Sequence, residues 1–150
     1  MAQRGCVSAL VVKAYDAVQT ISAAIAAYRS TGATVWSTSF LSFLSLAYAD
    51  LGKFNDAKRC IGQAMTVIET AKEKRFEAEV HRIAGEIALS SPDPDAAKAE
   101  AYFQRALAVA RRQRAKSWEL RAARSLARLW RDQGQVQQAR TACSGLRLVQ

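Results

Sequence analysis

Four arginines, Arg121, Arg124, Arg128 and Arg131, follow one another at spacings of three, four and three. On an α-helix that spacing puts all four on one face, each within reach of the next. Three adjacent like-charge pairs cost such a helix about 1 kcal/mol together, at roughly 0.2–0.5 kcal/mol each. Something must offset that repulsion, and two readings stay open. Either neighbouring acids bridge part of the row and water covers the rest, or the row receives carboxylates or phosphates, which the planar guanidinium binds through two parallel donors. Arg105, Arg111, Arg112 and Arg114 stand just upstream. The last three fall near a helix C-terminus, where the dipole favours cations, so they require no ligand.

The remaining reactive residues are sparse. Cys6, Cys60 and Cys143 are an odd, widely spaced set without a CxxC, which argues against a disulfide framework and points to the cytoplasm. A zinc site would need all three to converge with His81, whereas metal ligands usually come in close pairs. Small buried apolar residues are the simpler reading of these cysteines. A Cys60–His81 nucleophile pair lacks a third group to orient it. Glu77 with Glu79, and Asp93 with Asp95, suit a helix start and a turn. The chain contains no GxSxG, GxxxxGK[ST], GxGxxG or HExxH. No catalytic residue, cofactor or metal is expected, and the chain does not read as an enzyme.

Charge narrows the field further. The 150 residues are 50% hydrophobic and 23% charged, a globular composition that fits one domain, 1–150. Residues 1–97 carry equal numbers of acids and bases, so the whole net charge of +9 sits in residues 98–150. Such a surplus attracts phosphate without specificity, which makes nucleic-acid binding through the basic third the alternative function. No exposed aromatic platform for stacking bases is evident in the sequence. Apolar runs fall short of the roughly 18 residues of a membrane span, and Lys13 interrupts the only apolar stretch near the N-terminus. Neither a membrane nor a secretion signal is expected.

The elements that must position the arginines are helical. Apolar residues recur three and four apart between regular breaks, which predicts seven helices over 7–29, 36–51, 54–72, 76–90, 95–113, 117–133 and 136–148. Gly32, Gly52 and Gly134 stand where C-terminal caps belong, and Asn55 or Asp56, Asp95 and Ser117 where N-caps belong. SSPDPD (90–95) stops a helix through its prolines. Trp36 opens a helix, WSTSFLSFLSLAYA, that is apolar on most sides; such a helix is usually buried or facing a partner, and this one is expected in the middle of the stack. Trp130 reads as core, and Trp118 as packing a junction between hairpins.

Small residues also repeat at a long period. Ala17, Ala57, Ala99 and Ala139 are separated by 40, 42 and 40, and Ala24, Ala64, Ala106 and Leu146 follow with the same steps. Ser45, Gly85 and Ala127 repeat likewise on the partner helices, with Tyr48 and Trp130 three residues on from the first and last. A small residue admits a neighbouring helix closely and an aromatic fills the next layer, as stacked hairpins require. LSLAYADLGKFNDAKRCIGQAM, with Ser45, Tyr48, Gly52, Phe54, Ala57 and Ala64, resembles the tetratricopeptide repeat. SLARLWRDQGQVQQARTACSGL resembles it through Ala127, Trp130, Gly134 and Ala139. The middle unit departs more, with Ala88 in the aromatic place and a stretched turn. Long-period repeats with phrases such as AEVHRIAGEIAL and ALAVARRQRAKSWELRAARSLARLWRDQG resemble the C-terminal regions of large bacterial signalling proteins that carry a cyclase or DNA-binding domain and an AAA-type ATPase.

That resemblance implies an all-α right-handed superhelix of antiparallel hairpins, 36–72, 76–113 and 117–148, preceded by a lone helix. It implies a non-catalytic scaffold or regulatory module of such a signalling protein, holding an acidic peptide or a sibling domain in a concave groove. Carried over by register, the groove positions are Ser39, Ser42, Leu46 and Ala49, then Glu79, Arg82, Glu86 and Leu89, then Arg121, Arg124, Arg128 and Arg131. Glu79 and Glu86 then lie beside Arg121 and Arg128, where salt bridges can form. The lone helix 7–29 matches only half a repeat, so its partner lies upstream or was never present; the chain is then the tail of a longer protein or a shortened relative of one, or the apolar Val7, Leu10, Val11 and Ala14 on the helix's outer side mark a homodimer contact.

Overall fold

The computed structural model describes residues 2–32 and 36–144, with side chains over 12–32 and 36–142. Seven helices run along the described residues: α1 (Ala2–Ser30), α2 (Ser37–Asp50), α3 (Phe54–Ala71), α4 (Glu77–Ser90), α5 (Ala96–Arg112), α6 (Lys116–Asp132) and α7 (Val136–Ser144). No strand occurs among the described residues. The chain divides into two compact units, Met1–Lys74 and Arg75–Gln150. Among the described residues no helix is long and apolar enough to cross a membrane.

In the first unit α2 packs on both α1 and α3. The packed stripe of α1 is Ala14, Ala17, Val18, Ile21, Ile25 and Tyr28, which recur at helical spacing. Tyr28 meets Phe40 edge-on, with ring centroids 5.7 Å apart. Ala14 therefore falls on the packed side, a correction to its expected place on the outer face, while Val7, Leu10 and Val11 lie outside the described side chains. Ala24 is exposed, unlike its repeat counterparts Ala64 and Ala106, which are fully buried.

Helix α2 buries hydroxyl-bearing and small residues alongside its leucines. Its buried set is Thr38, Ser39, Leu41, Ser42, Leu44, Ser45 and Ala47, whereas Trp36 and Phe43 are exposed. The hydroxyls of Ser39, Ser42 and Ser45 donate to the carbonyls of Trp36, Thr38 and Ser42, so each is satisfied locally. A short side chain satisfied in this way tolerates burial and close packing, which leaves the bulky aromatics for the outer side. Trp36 accordingly stays exposed at the start of a helix that buries its small and hydroxyl-bearing residues.

The second unit is built on α5, which packs against α4 and α6, with α7 packed on α6. Its core joins Ala88 of α4, Ala99, Phe103, Ala106 and Leu107 of α5, and Ala122, Ala123, Leu126 and Leu129 of α6, with Trp130 packed against it. Gly85 lets α4 approach so closely that an added Cβ would lie 2.5 Å from Phe103 Cε1. Trp118 packs with Phe76, at 5.7 Å between centroids, beside Ala78, Val109 and Ala110 where α4, α5 and α6 meet. His81 stacks on Tyr102, and its pKa is lowered by burial, then by the charge of Arg105, against a smaller opposing effect of Glu77.

Three turns share one construction. Gly52, Arg114 and Gly134 all adopt positive φ, at 73°, 54° and 78°. Each donates its N–H three residues back, and the next residue donates five back: Lys53 to Tyr48, Ala115 to Ala110 and Gln135 to Trp130. This pair of bonds satisfies the orphan carbonyls at a helix end. The next helix begins almost at once, so Lys53 and Ala115 occupy the N-cap places expected for Asn55 or Asp56 and for Ser117. Asp56 instead pairs with Arg59 in the first turn of α3. Asp95 caps α5 as expected, accepting the Lys98 N–H at 2.8 Å.

Arg114 holds the left-handed conformation without being glycine, at a cost of about 1–2 kcal/mol. Arg114→Gly removes that strain and adds back roughly 0.4–1 kcal/mol of unfolded-chain entropy. A net gain of about 0.5–1 kcal/mol is expected in urea unfolding, and a loss of stability would contradict this account of the turn.

Candidate arginine–carboxylate face on α4 and α6

Helix α6 turns Ala122, Ala123, Leu126 and Leu129 into the core, and that orientation carries Arg121, Arg124, Arg128 and Arg131 outward. Helix α4 presents Glu79, Arg82 and Glu86 beside them, one turn apart. Both carboxylates reach across. Glu79 Oε1 lies 2.6 Å from Arg121 Nη2, and Glu86 Oε2 lies 2.6 Å from Arg128 Nη2.

Arg82 sits between the two acids. Its Nε and Nη2 donate to the two oxygens of Glu79 at 2.9 and 2.8 Å, and its Nη1 lies 3.1 Å from Glu86 Oε1. Its side chain is only 13% exposed, which opposes its charge, but hydrogen bonds and charge from Glu79 and Glu86 outweigh that and raise its pKa. Ser125 closes the network, its hydroxyl donating to Glu86 Oε1 at 2.7 Å. Arg121 also lies over the ring of Trp118, 5.3 Å from the centroid, an attraction that fixes its planar group.

The arginines of the row are therefore unequal. Arg121 and Arg128 are engaged by α4, and Arg131 pairs with its neighbour Asp132 at 3.2 Å, with both side chains well exposed. An exposed pair of that kind contributes little. Arg124 is exposed and has no hydrogen-bond or ion-pair partner among the described residues.

Leu89 is half-buried against the second unit's core. Leu46 is half-buried on α2 of the first unit. Ser39 and Ser42 are corrected: they are 3% and 1% exposed, with their hydroxyls engaged by nearby carbonyls, so neither lines an open surface. Cys60 is buried in the first unit, and burial pushes its thiol pKa up against the smaller lowering by Arg59, so it is a poor nucleophile. Cys6 and Cys143 lie outside the described side chains. Among the described residues no group of three or more His, Cys, Asp or Glu is placed to hold a metal ion.

Arg111 and Arg112, expected to be satisfied by the helix dipole alone, have partners. Arg111 lies 3.1 Å from Glu119 and Arg112 lies 3.4 Å from Glu77. The hydrogen bond from Lys116 depresses the pKa of Glu119; burial opposes this and the Arg111 bond adds to it. A depressed carboxyl contributes stability above its unfolded value and loses it as pH falls through the folded one. Glu119→Gln is accordingly expected to destabilise at neutral pH by about 1–3 kcal/mol. That difference should shrink as pH falls below roughly 4.3. Urea midpoints of both proteins across acid pH check this, and a gap that widens on acidification would contradict it.

Sequence reasoning misses two members of this face, Ser125 and Trp118. The signal for Ser125 is its place, a small hydroxyl residue four after Arg121 and three before Arg128. Trp118 stands three before Arg121, the spacing that lets a ring lie beneath a guanidinium on one helix. The chain matches no family model, no curated protein and no solved structure.

Proposed function

We propose that the chain is a non-catalytic interaction scaffold of tetratricopeptide-like hairpins, stacked as a right-handed superhelix, that binds an acidic peptide or a sibling domain of a larger bacterial signalling protein. The observation that carries this reading is the unpartnered guanidinium of Arg124, set in the row between two arginines already engaged by α4. Arg82, Arg121, Arg124 and Arg128 face two carboxylates, so the face keeps a surplus of two positive charges. Leu120, 56% exposed and one turn before Arg124, offers an apolar contact beside the charge. A segment of acidic side chains with an apolar one among them complements both features.

The basic third also attracts nucleic acid by charge. In the second unit, however, the exposed large apolar side chains among the described residues are Leu120 and Val136, neither of them aromatic. Bases would find no exposed ring there to stack on. Fluorescence anisotropy with a labelled peptide of four glutamates around a leucine, challenged with unlabelled duplex DNA at low and high salt, separates the two. Saturable peptide binding that duplex DNA displaces poorly supports the scaffold. Peptide binding absent at low salt, or displaced completely by DNA, refutes it.

A further inference from the structure

The two α4 carboxylates are held in different ways. Glu79 is 6% exposed, with both oxygens on Arg82 and a third contact from Arg121. Glu86 stands at the rim, 22% exposed, and its hold on Arg128 runs through one nitrogen, Nη2, at 2.8 and 2.6 Å from its two oxygens. Arg128 is half-exposed, and its Nε and Nη1 have no partner among the described residues. Glu86 has two other holders, Arg82 and the Ser125 hydroxyl, both buried more deeply than Arg128. If Arg128 turned away, Glu86 would keep these bonds and would not become an unpaired buried charge.

Resting on the acidic-partner reading above, we infer that Glu86 is a resident competitor for the partner's carboxylate. In the unoccupied chain it takes up Arg128 and lowers the positive potential of the row. An acidic side chain of the partner displaces it from Arg128 while a neighbouring acid of the partner pairs with Arg124, one turn away, and Glu86 stays on Arg82 and Ser125. Exchange of one carboxylate for another costs little Coulomb energy, so the net gain comes from Arg124, which had no partner before. The face thus discriminates by the number of acids offered. A lone carboxylate only replaces Glu86, whereas adjacent acids also engage Arg124.

The test uses the glutamate–leucine peptide with the full chain and its Glu86→Gln variant, in which the amide oxygen still accepts from Ser125 and Arg82. The variant is expected to bind about three- to fivefold tighter, the scale of one released ion pair. In an Arg128→Gln background the same change should have no effect, because there is no guanidinium left to release. Should Glu86→Gln melt early, Glu86→Asp draws the carboxylate back from Arg128 and must shift affinity in the same direction. Unchanged or weaker binding by both variants overturns the inference while leaving the acidic-partner reading standing. A tightening that persists without Arg128 overturns it as well, because it would reflect only the altered net charge. Failure of every protein, wild type included, to bind the peptide overturns both.

Discussion

Gly85→Ala is expected to destabilise the Arg75–Gln150 unit by about 1–3 kcal/mol, the usual cost of overpacking a core. In an exposed helix the same change stabilises by roughly 0.8–1.0 kcal/mol, because alanine is the better helix former. The sign is reversed by Phe103. A Cβ at position 85 would lie 2.5, 2.8 and 3.0 Å from three atoms of its ring, all inside van der Waals contact. The ring is fully buried between α4 and α6 and has no open side to move into. Gly85→Ala combined with Phe103→Leu should recover part of the loss, since the smaller side chain vacates the colliding positions. Urea unfolding of the two single variants and the double gives the cycle. Strictly additive effects would show that the close approach of α4 and α5 does not depend on this contact.

Arg82→Met should cost about 3–5 kcal/mol, the range seen when one partner of a buried ion pair is removed. The reason lies with Glu79. Its carboxylate is almost fully buried and takes two of its three short contacts from Arg82. Without that guanidinium only Arg121, half-exposed and shared with Trp118, remains to compensate it. Arg82→Met with Glu79→Leu removes both charges and should return to within about 1–2 kcal/mol of wild type, because an apolar replacement of a buried pair is often neutral. If Arg82→Met alone left the urea midpoint in place, Glu79 would have to find water that the packed α4–α6 contact denies it.

Much of this face is legible without coordinates. The repeat step of 42 residues sets Glu79 beside Arg121 and Glu86 beside Arg128, and both pairs form. Helix ends at Gly52 and Gly134, and the proline-bearing break after Ser90, follow from backbone chemistry that those residue types announce. What stays hidden has physical causes. Arg114 adopts a glycine-like conformation that no residue type signals, so periodicity alone marks the turn after α5. Serines on α2 are polar by type yet satisfied by nearby carbonyls, which puts Ser42 inside rather than in an open groove. Arg82 stands among the groove positions by register, but its burial between Glu79 and Glu86, paired with both, follows only from the packing of α4. Pairing within a face decides which arginines stay available, and charge counting alone cannot assign it.

Arg124 is where the account is most exposed to test. No hydrogen bond or ion pair of the described residues is held by its guanidinium, so Arg124→Glu should leave helicity and melting temperature unchanged. Isothermal titration of the glutamate–leucine peptide into that variant is the most direct measurement. Loss of at least about tenfold in affinity, the size of one charge-assisted contact turned repulsive, is the expected result. Wild-type affinity in a well-folded Arg124→Glu protein would show that the row is only a solvated surface and that partners bind elsewhere.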